Sequence, residues 1–191
     1  MGKNADNQAF QEKNGKIDSR FTFEGKYLKV RRDTIDIPNR PVKTWDIVVT
    51  SGAVAIIPID SQGRIVLVEQ WRRAIDRITL ELPAGMLDPG ESPQECAQRE
   101  LQEETGLKAG SLKPFGGCFS SPGSMTEYIH LYLGRDLTES PLNADDTDLI
   151  DVRTLSLNEA QKMIENGQIC DAKTIIGILR YSSVANRSPL N

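Results

Sequence analysis

The sequence has no long apolar run. Its longest, Ala53–Ile59, falls far short of the roughly 20 residues that cross a bilayer, so no membrane-spanning role is expected. A basic excess is missing too: 23 Lys and Arg stand against 27 Asp and Glu, a formal net charge of −4. Nucleic acid and anionic membranes call for a cationic face, and neither is expected as a partner. A small anionic substrate stays compatible with this charge, because a bound divalent cation reverses the local field. Histidine is reduced to His130, and the three cysteines, Cys96, Cys118 and Cys170, include no C-x-x-C pair. That is too few ligands for a zinc centre of the Cys/His type, and an odd, unpatterned set of thiols fits a reducing, cytoplasmic compartment. Met1–Lys16 is polar and lacks the apolar segment of a secretory signal.

What is present suits one domain of ordinary size with a short extension. Of 191 residues, 38% are apolar and 26% charged, enough to build a core. Residues 1–19 carry few bulky apolar side chains and read as a frayed lead-in. Strands are predicted over Tyr27–Ile37 and Thr44–Thr50, then over Gly52–Ile59 and Ile65–Trp71. Asp60-Ser61-Gln62-Gly63 between the last two reads as a hairpin turn. A short strand, Thr79–Leu82, ends at Pro83-Ala84-Gly85, and further strands are expected at Leu112–Phe119, Tyr128–Leu133 and Leu149–Leu155. The best-marked helix opens on Ser92 as N-cap, with Pro93 at its first position and Glu95 completing a capping box, and stops at Gly106. Ser156 with Glu159 opens a second helix, to about Asn166, and Asp171 caps a last one, Ala172 to about Tyr181. Strands followed by a few helices indicate an α+β fold, a mixed α/β sandwich.

The first of these helices is unusually acidic. At 100° per residue, Glu100, Glu103 and Glu104 share about one quadrant, with Cys96 on that side, Ala97 and Leu101 on the adjoining apolar stripe, and Gln98 and Gln102 towards solvent. Glu100 and Glu104 repel at i,i+4, and carboxylates in the C-terminal half oppose the helix dipole. Arg99 relieves Glu103 and Glu95 but is one cation among several anions. On spacing alone two readings stay open: a solvated acidic face, or a site for a hard divalent cation, which takes carboxylate oxygens and keeps several waters.

Read from Gly85, the segment GMLDPGESPQECAQRELQEETGL fits G-x5-E-x7-R-E-U-x-E-E-x-G-U, with U apolar, at every fixed position: Gly85, Glu91, Arg99, Glu100, Leu101, Glu103, Glu104, Gly106 and Leu107. Average residue frequencies give such a match a chance of about 10⁻⁹ per start position. This resembles the signature of the Nudix hydrolase family. The resemblance implies a sheet sandwiched by helices, with the box as a loop–helix–loop, and Mg²⁺- or Mn²⁺-dependent hydrolysis of a nucleoside diphosphate linked to a further moiety. By position, it implies metal binding by Glu100 and Glu104, with Glu103 on a further ion or on water and the Ala84 carbonyl completing the shell. Arg99 would hold the glutamates, and Glu91 would be mostly architectural.

Outside the box, Glu81-Leu82-Pro83-Ala84-Gly85 and Gln70-Trp71-Arg72 resemble the ADP-ribose pyrophosphatase branch. There the arginine helps bind the substrate, a role open to Arg72 beside the alternative of a plain surface arginine. Pro122 of Ser121-Pro122-Gly123, 15 residues beyond Leu107, resembles a further mark of that branch, with an ordinary turn as the alternative. The following Glu127-Tyr128-Ile129-His130-Leu131 resembles the branch too and favours the first reading. Glu127 is a candidate for reaching metal or water, and His130 is expected on the core side of a strand. The N-terminal strands resemble an extension that typically dimerises and contributes an aromatic to the base site; Trp45 is the candidate, with burial between strands as its alternative. The expected organisation is therefore a dimerising β extension over residues 1–50 and a Nudix-like hydrolase domain over 51–191. The expected reaction splits ADP-ribose into AMP and ribose 5-phosphate, with another nucleoside-diphosphate sugar such as GDP-mannose, or a non-catalytic ADP-ribose-binding module, as alternatives. One departure is visible. Many relatives place a glutamate on the acidic loop before the late strand as the base, whereas this loop carries only Asp145, Asp146 and Asp148, so either the loop shifts or Glu103 or Glu127 takes the role.

Overall fold

The computed structural model describes residues 3–143 and 149–185, so the acidic loop with Asp145, Asp146 and Asp148 lies outside the described residues. The chain divides into two compact units. The first comprises residues 1–50 and 121–127, and the second 51–120 and 128–191.

The first unit holds a helix, α1 (Lys3–Asn14), and an antiparallel sheet in the order β1 (Lys16–Glu24), β2 (Lys29–Asp36), β3 (Lys43–Val49). The expected frayed lead-in is thus a helix and a strand. Neither leaves a hydrophobic signature. The α1 helix is held by side-chain pairs one turn apart, such as Gln8 Nε2 to Glu12 Oε1 at 2.9 Å, and β1 is exposed along its whole length and exists through its ladder to β2. The β2–β3 register sets Asp33 opposite Trp45 and Arg31 opposite Ile47. Because strand side chains alternate, Arg31, Asp33, Ile35, Trp45 and Ile47 share one face. The segment 121–127 is stitched to β3: Val48 N–H donates to the Ser124 carbonyl at 2.8 Å, and Thr126 N–H to the Val48 carbonyl at 3.0 Å.

The second unit is built on two further sheets. One runs in the order β7 (Ala84–Met86), β4 (Ala53–Pro58), β9 (Tyr128–Glu139), β8 (Leu107–Phe119), with β4 and β9 parallel; the other runs β10 (Asp151–Leu155), β5 (Ile65–Arg72), β6 (Arg77–Glu81). Strand β4 is buried on both faces, which is why it reads as an unbroken apolar run. Val54 and Ile56 meet Cys96, Ala97 and Leu101 of helix α2 (Pro93–Thr105). Ala55 and Ile57 face a larger core shared with Ile65, Leu67, Leu80 and Leu82, with Ala160 of α3 (Leu157–Glu165) and with Ile178 and Tyr181 of α4 (Ala172–Ala185). This is an α+β sandwich.

The Asp60–Gly63 turn forms as expected, with Gly63 at φ 76° and Gly63 N–H donating to the Asp60 carbonyl at 3.0 Å. The hairpin does not. After a single Ile59–Ile65 bridge, the two strands enter different sheets, because each has a better apolar partner elsewhere. Strand β7 was unexpected as well; three residues around a glycine carry no alternation to read. No helix among the described residues is long and apolar enough to cross a membrane.

Candidate active site

Helix α2 begins as its sequence dictates. Ser92 Oγ accepts from Glu95 N–H, the Glu95 carboxylate accepts from Ser92 N–H at 3.0 Å, Pro93 stands at the first turn, and Gly106 closes the helix at φ 71°. Glu95 is thereby committed to the cap and is not Arg99's partner; Glu91 takes that place. Gln102, expected in solvent, is buried, and its Nε2 donates to the Ser140 carbonyl at 2.8 Å. The chain leaving β9 returns over the C-terminus of α2, where Ser140 N–H donates to the Gly106 carbonyl, and this covers a side that a helical wheel assigns to water. Gln98 is half-buried, and in the orientation that satisfies both ends its amide pairs with the Ala109 backbone.

The acidic face is organised around Arg99. Its Nε and Nη2 donate to the two oxygens of Glu91 at 2.8 and 2.9 Å, and its Nη1 to Glu100 at 2.7 Å and Glu103 at 3.0 Å. One guanidinium thus ties three carboxylates, its own pKa raised chiefly by the Glu91 bonds. Arg99 holds Glu91 at about 2, against a smaller opposing effect of burial. Glu100, more deeply placed, is shifted upward by burial in spite of Arg99. Gly85 is required here for close approach: a Cβ at this position would overlap the Glu100 carboxylate.

Glu104 differs from its neighbours. It accepts Ala84 N–H at 3.0 Å, and among the described residues no cation lies within ion-pair distance. Burial pushes its pKa up to about 7; the Ala84 N–H, Arg72 and Lys173 pull it back, while Glu100 pushes it further up. A half-buried carboxylate of this kind beside a second carboxylate is a costly arrangement unless a cation joins it. Among the described residues, no three His, Cys, Asp or Glu side chains converge as a ready-made cage. Two carboxylates and a backbone turn are the partial shell that suits an ion retaining most of its water, so the donor set fits a hard divalent cation.

Arg72 is not a plain surface residue, although its side chain stays 40% exposed. It forms a two-pronged pair with the buried Glu81, Nε at 2.7 Å and Nη2 at 2.6 Å. Lys173 and the Thr79 hydroxyl bind the same carboxylate. Burial alone would raise Glu81, but these partners, Arg72 foremost, hold it at about 2. With Asp171, whose Oδ2 lies 3.1 Å from Lys173 Nζ, they line a cavity of about 360 Å³. Sequence reasoning missed Lys173 and the role of Glu81, and read Asp171 as a helix cap alone. The one available signal was a charge inside an apolar strand, which demands a partner; nothing in the letters identifies that partner 92 residues away.

In the first unit, Trp45, Pro122 and Gly123 line one cavity of about 350 Å³ together with Arg31, Asp33 and Thr126. Arg31 pairs with Asp33 at 2.8 and 2.9 Å and lowers its pKa. Glu127 is half-buried at the end of the same segment, whereas the α2 glutamates belong to the second unit. His130 is half-buried on β9, its ring edge-on to Tyr128 with centroids 4.8 Å apart.

Comparison with known proteins is in keeping with this arrangement. Residues 49–175 match the model of the NUDIX domain. The chain is 36% identical over 171 residues to a methanol dehydrogenase activator of Bacillus methanolicus, covering 88% of this chain and 91% of that protein. It is 34% identical over 158 residues to an ADP-ribose pyrophosphatase of Bacillus subtilis (strain 168), covering 82% and 85%. A crystal structure of an ADP compounds hydrolase superposes with a TM-score of 0.81 at 20% identity, over 90% of this chain and 94% of that one, a likeness of fold.

Proposed function

We propose that this chain, which belongs to the Nudix family, is a pyrophosphohydrolase that cleaves the diphosphate of ADP-ribose to give AMP and ribose 5-phosphate. The observation that carries the reading is Glu104: a half-buried carboxylate with a pKa near 7, accepting the Ala84 N–H and beside Glu100, is poised for a cation and a phosphate rather than for structural duty. Glu100, Glu104 and the Ala84 carbonyl are the residues proposed to hold Mg²⁺ or Mn²⁺, with Glu103 on a further ion. When bound, that ion supplies charge neutralisation at the diphosphate oxygens and at the leaving phosphate. Arg99 keeps the glutamates from splaying apart under their mutual repulsion, and Gly85 lets the backbone lie against Glu100. Arg72, with two of its donors engaged by Glu81, presents the remaining face of its guanidinium to substrate anions. Trp45, Pro122 and Gly123 are assigned to the nucleobase, the indole offering a stacking face. Glu103 and Glu127 are the carboxylates proposed to take the proton of the attacking water.

The same reading includes a homodimer formed through the N-terminal sheet, in the cytoplasm. Supporting it, Phe10, Ile17, Phe21, Phe23 and Tyr27 of the first unit are exposed to solvent in the single chain, an apolar load that monomers rarely carry. Sedimentation of the wild type should give a dimer, and a monomer would remove that part of the proposal.

The activity is tested with ADP-ribose, GDP-mannose, UDP-glucose, NADH and nucleoside triphosphates, scored by kcat/KM with and without EDTA. ADP-ribose should lead the series, and chelation should abolish turnover. A lead for GDP-mannose would move the substrate within the family. No turnover of any diphosphate in saturating Mg²⁺, with tight ADP-ribose binding, would identify a sensing module.

A further inference from the structure

The first turn of α4 is joined to the backbone that touches Glu104 by hydrogen bonds at either end of the short segment Leu82–Ala84. Thr174 is fully buried, and both functions of its hydroxyl are used: it accepts Leu82 N–H at 2.8 Å and donates to Asp171 Oδ2 at 2.6 Å. Asp171 in turn caps the helix through Thr174 N–H at 3.0 Å. One residue earlier, Lys173 holds the carboxylate of Glu81, the neighbour of Leu82. Gly177, one turn on, lets α4 lie against Leu82; a Cβ there would stand 2.5 Å from Leu82 Cδ1. Beyond Leu82, the Pro83 carbonyl accepts Ile56 N–H at 2.9 Å, and Ala84 N–H donates to Glu104 Oε2 at 3.0 Å. Leu82–Ala84 is therefore a short strap pinned on one side by α4 and on the other to the carboxylate, with a proline of fixed φ between the pins.

We propose that Thr174 is a positioning residue for the catalytic carboxylate: through the Leu82–Ala84 strap, α4 sets the place of Ala84 N–H and hence of Glu104. The inference rests on the reading of Glu104 as part of the hydrolytic site. A hydroxyl this deep is not needed merely to fill space, since valine has nearly the same shape; what valine lacks is the pair of hydrogen bonds that fixes the strap. Losing them leaves Leu82 N–H buried without an acceptor, and the strap relaxes towards any other partner. Reacting groups displaced by about 1 Å cost on the order of a hundredfold in rate.

The test compares Thr174→Val, Thr174→Ser and Glu104→Gln, assayed with ADP-ribose and Mg²⁺ at a temperature where circular dichroism shows each to be fully folded. Thr174→Val should lower kcat by about tenfold to a hundredfold with KM within about twofold, and should raise the Mg²⁺ concentration for half-maximal rate. Thr174→Ser, which restores the hydroxyl, should return kcat to within about threefold. If Thr174→Val does not fold, the smaller Thr174→Ala carries the same expectation. A folded Thr174→Val with wild-type kcat, while Glu104→Gln is inactive, overturns the positioning role alone, as does an equal loss of kcat in the Ser and Val variants. Full activity in Glu104→Gln overturns the reading of the site and this inference with it.

Discussion

Replacing Glu104 by glutamine should make the protein more stable, and by an amount that depends on pH. The folded-state pKa of Glu104 is about 7 against an ordinary 4.5. At about 1.36 kcal/mol per pH unit between the two values, the ionised side chain costs the fold about 3 kcal/mol. Below pH 4.5 the carboxyl is protonated in both states and costs nothing. As pH rises from 4.5 to 7 the unfolded chain ionises first, so the folded state loses ground, and above 7 the full cost is present. Glutamine keeps an oxygen to accept Ala84 N–H and removes the charge. In EDTA, Glu104→Gln should therefore melt about 6–12 °C above wild type at pH 8, with little difference near pH 4.5. Added Mg²⁺ should then stabilise the wild type by mass action and leave the variant unmoved, narrowing or reversing the gap. Calorimetry or fluorescence melts across pH 4.5–8 provide the measurement. A difference in melting temperature that is the same at both ends, or a variant less stable at pH 8 in EDTA, would refute the view that burial of an unneutralised charge dominates here.

Other expectations follow from neighbouring contacts. Gly85→Ala should fold yet lose on the order of a hundredfold in kcat, because its Cβ displaces the Glu100 carboxylate; a steady-state assay decides. Glu91→Gln should lower stability at pH 7 by about 2 kcal/mol, as expected for a charged hydrogen-bond partner removed from Arg99. The contribution of Glu91, whose pKa is held at about 2, is present above pH 4.5 and fades as pH falls towards 2, so urea titrations at pH 7 and pH 2.5 should show the gap closing. Trp45→Ala should raise KM for ADP-ribose about tenfold, the loss of one base stack, with kcat within about twofold; an unchanged KM would place the base elsewhere.

Helix α2 and the apolar strands of the sandwich were legible because their signals are local. Ser92 and Glu95 cap one another three residues apart, Gly106 supplies a left-handed stop, and Ala53–Ile59 is apolar because both of its faces are covered. The same holds for the box glutamates, whose mutual repulsion at helical spacing is itself the clue. What stayed illegible depends on distant partners. Gln102 is buried by a return of the chain at Ser140, and Arg72 is claimed by Glu81, which is itself shared with Lys173 from the last helix. The β4–β5 turn and both strands were read correctly and their pairing was not, since a turn fixes where the chain reverses and the sheets decide what each strand then pairs with. The N-terminal strand β1, solvated along its length in the single chain, has no pattern of inside and outside to display.

That divergence of β4 and β5 governs how the protein can be assembled. Strand β4 waits for β9 and strand β5 for β10, so neither sheet of the hydrolase unit can close until most of the polypeptide has been synthesised. Contacts this remote along the chain slow the search for the native state, and a nascent fragment ending before Tyr128 would expose the apolar strip Val54–Ile57 with no parallel neighbour to receive it. Truncated or stalled products should accordingly be aggregation-prone, and the segment after Glu127 is where folding competence is gained.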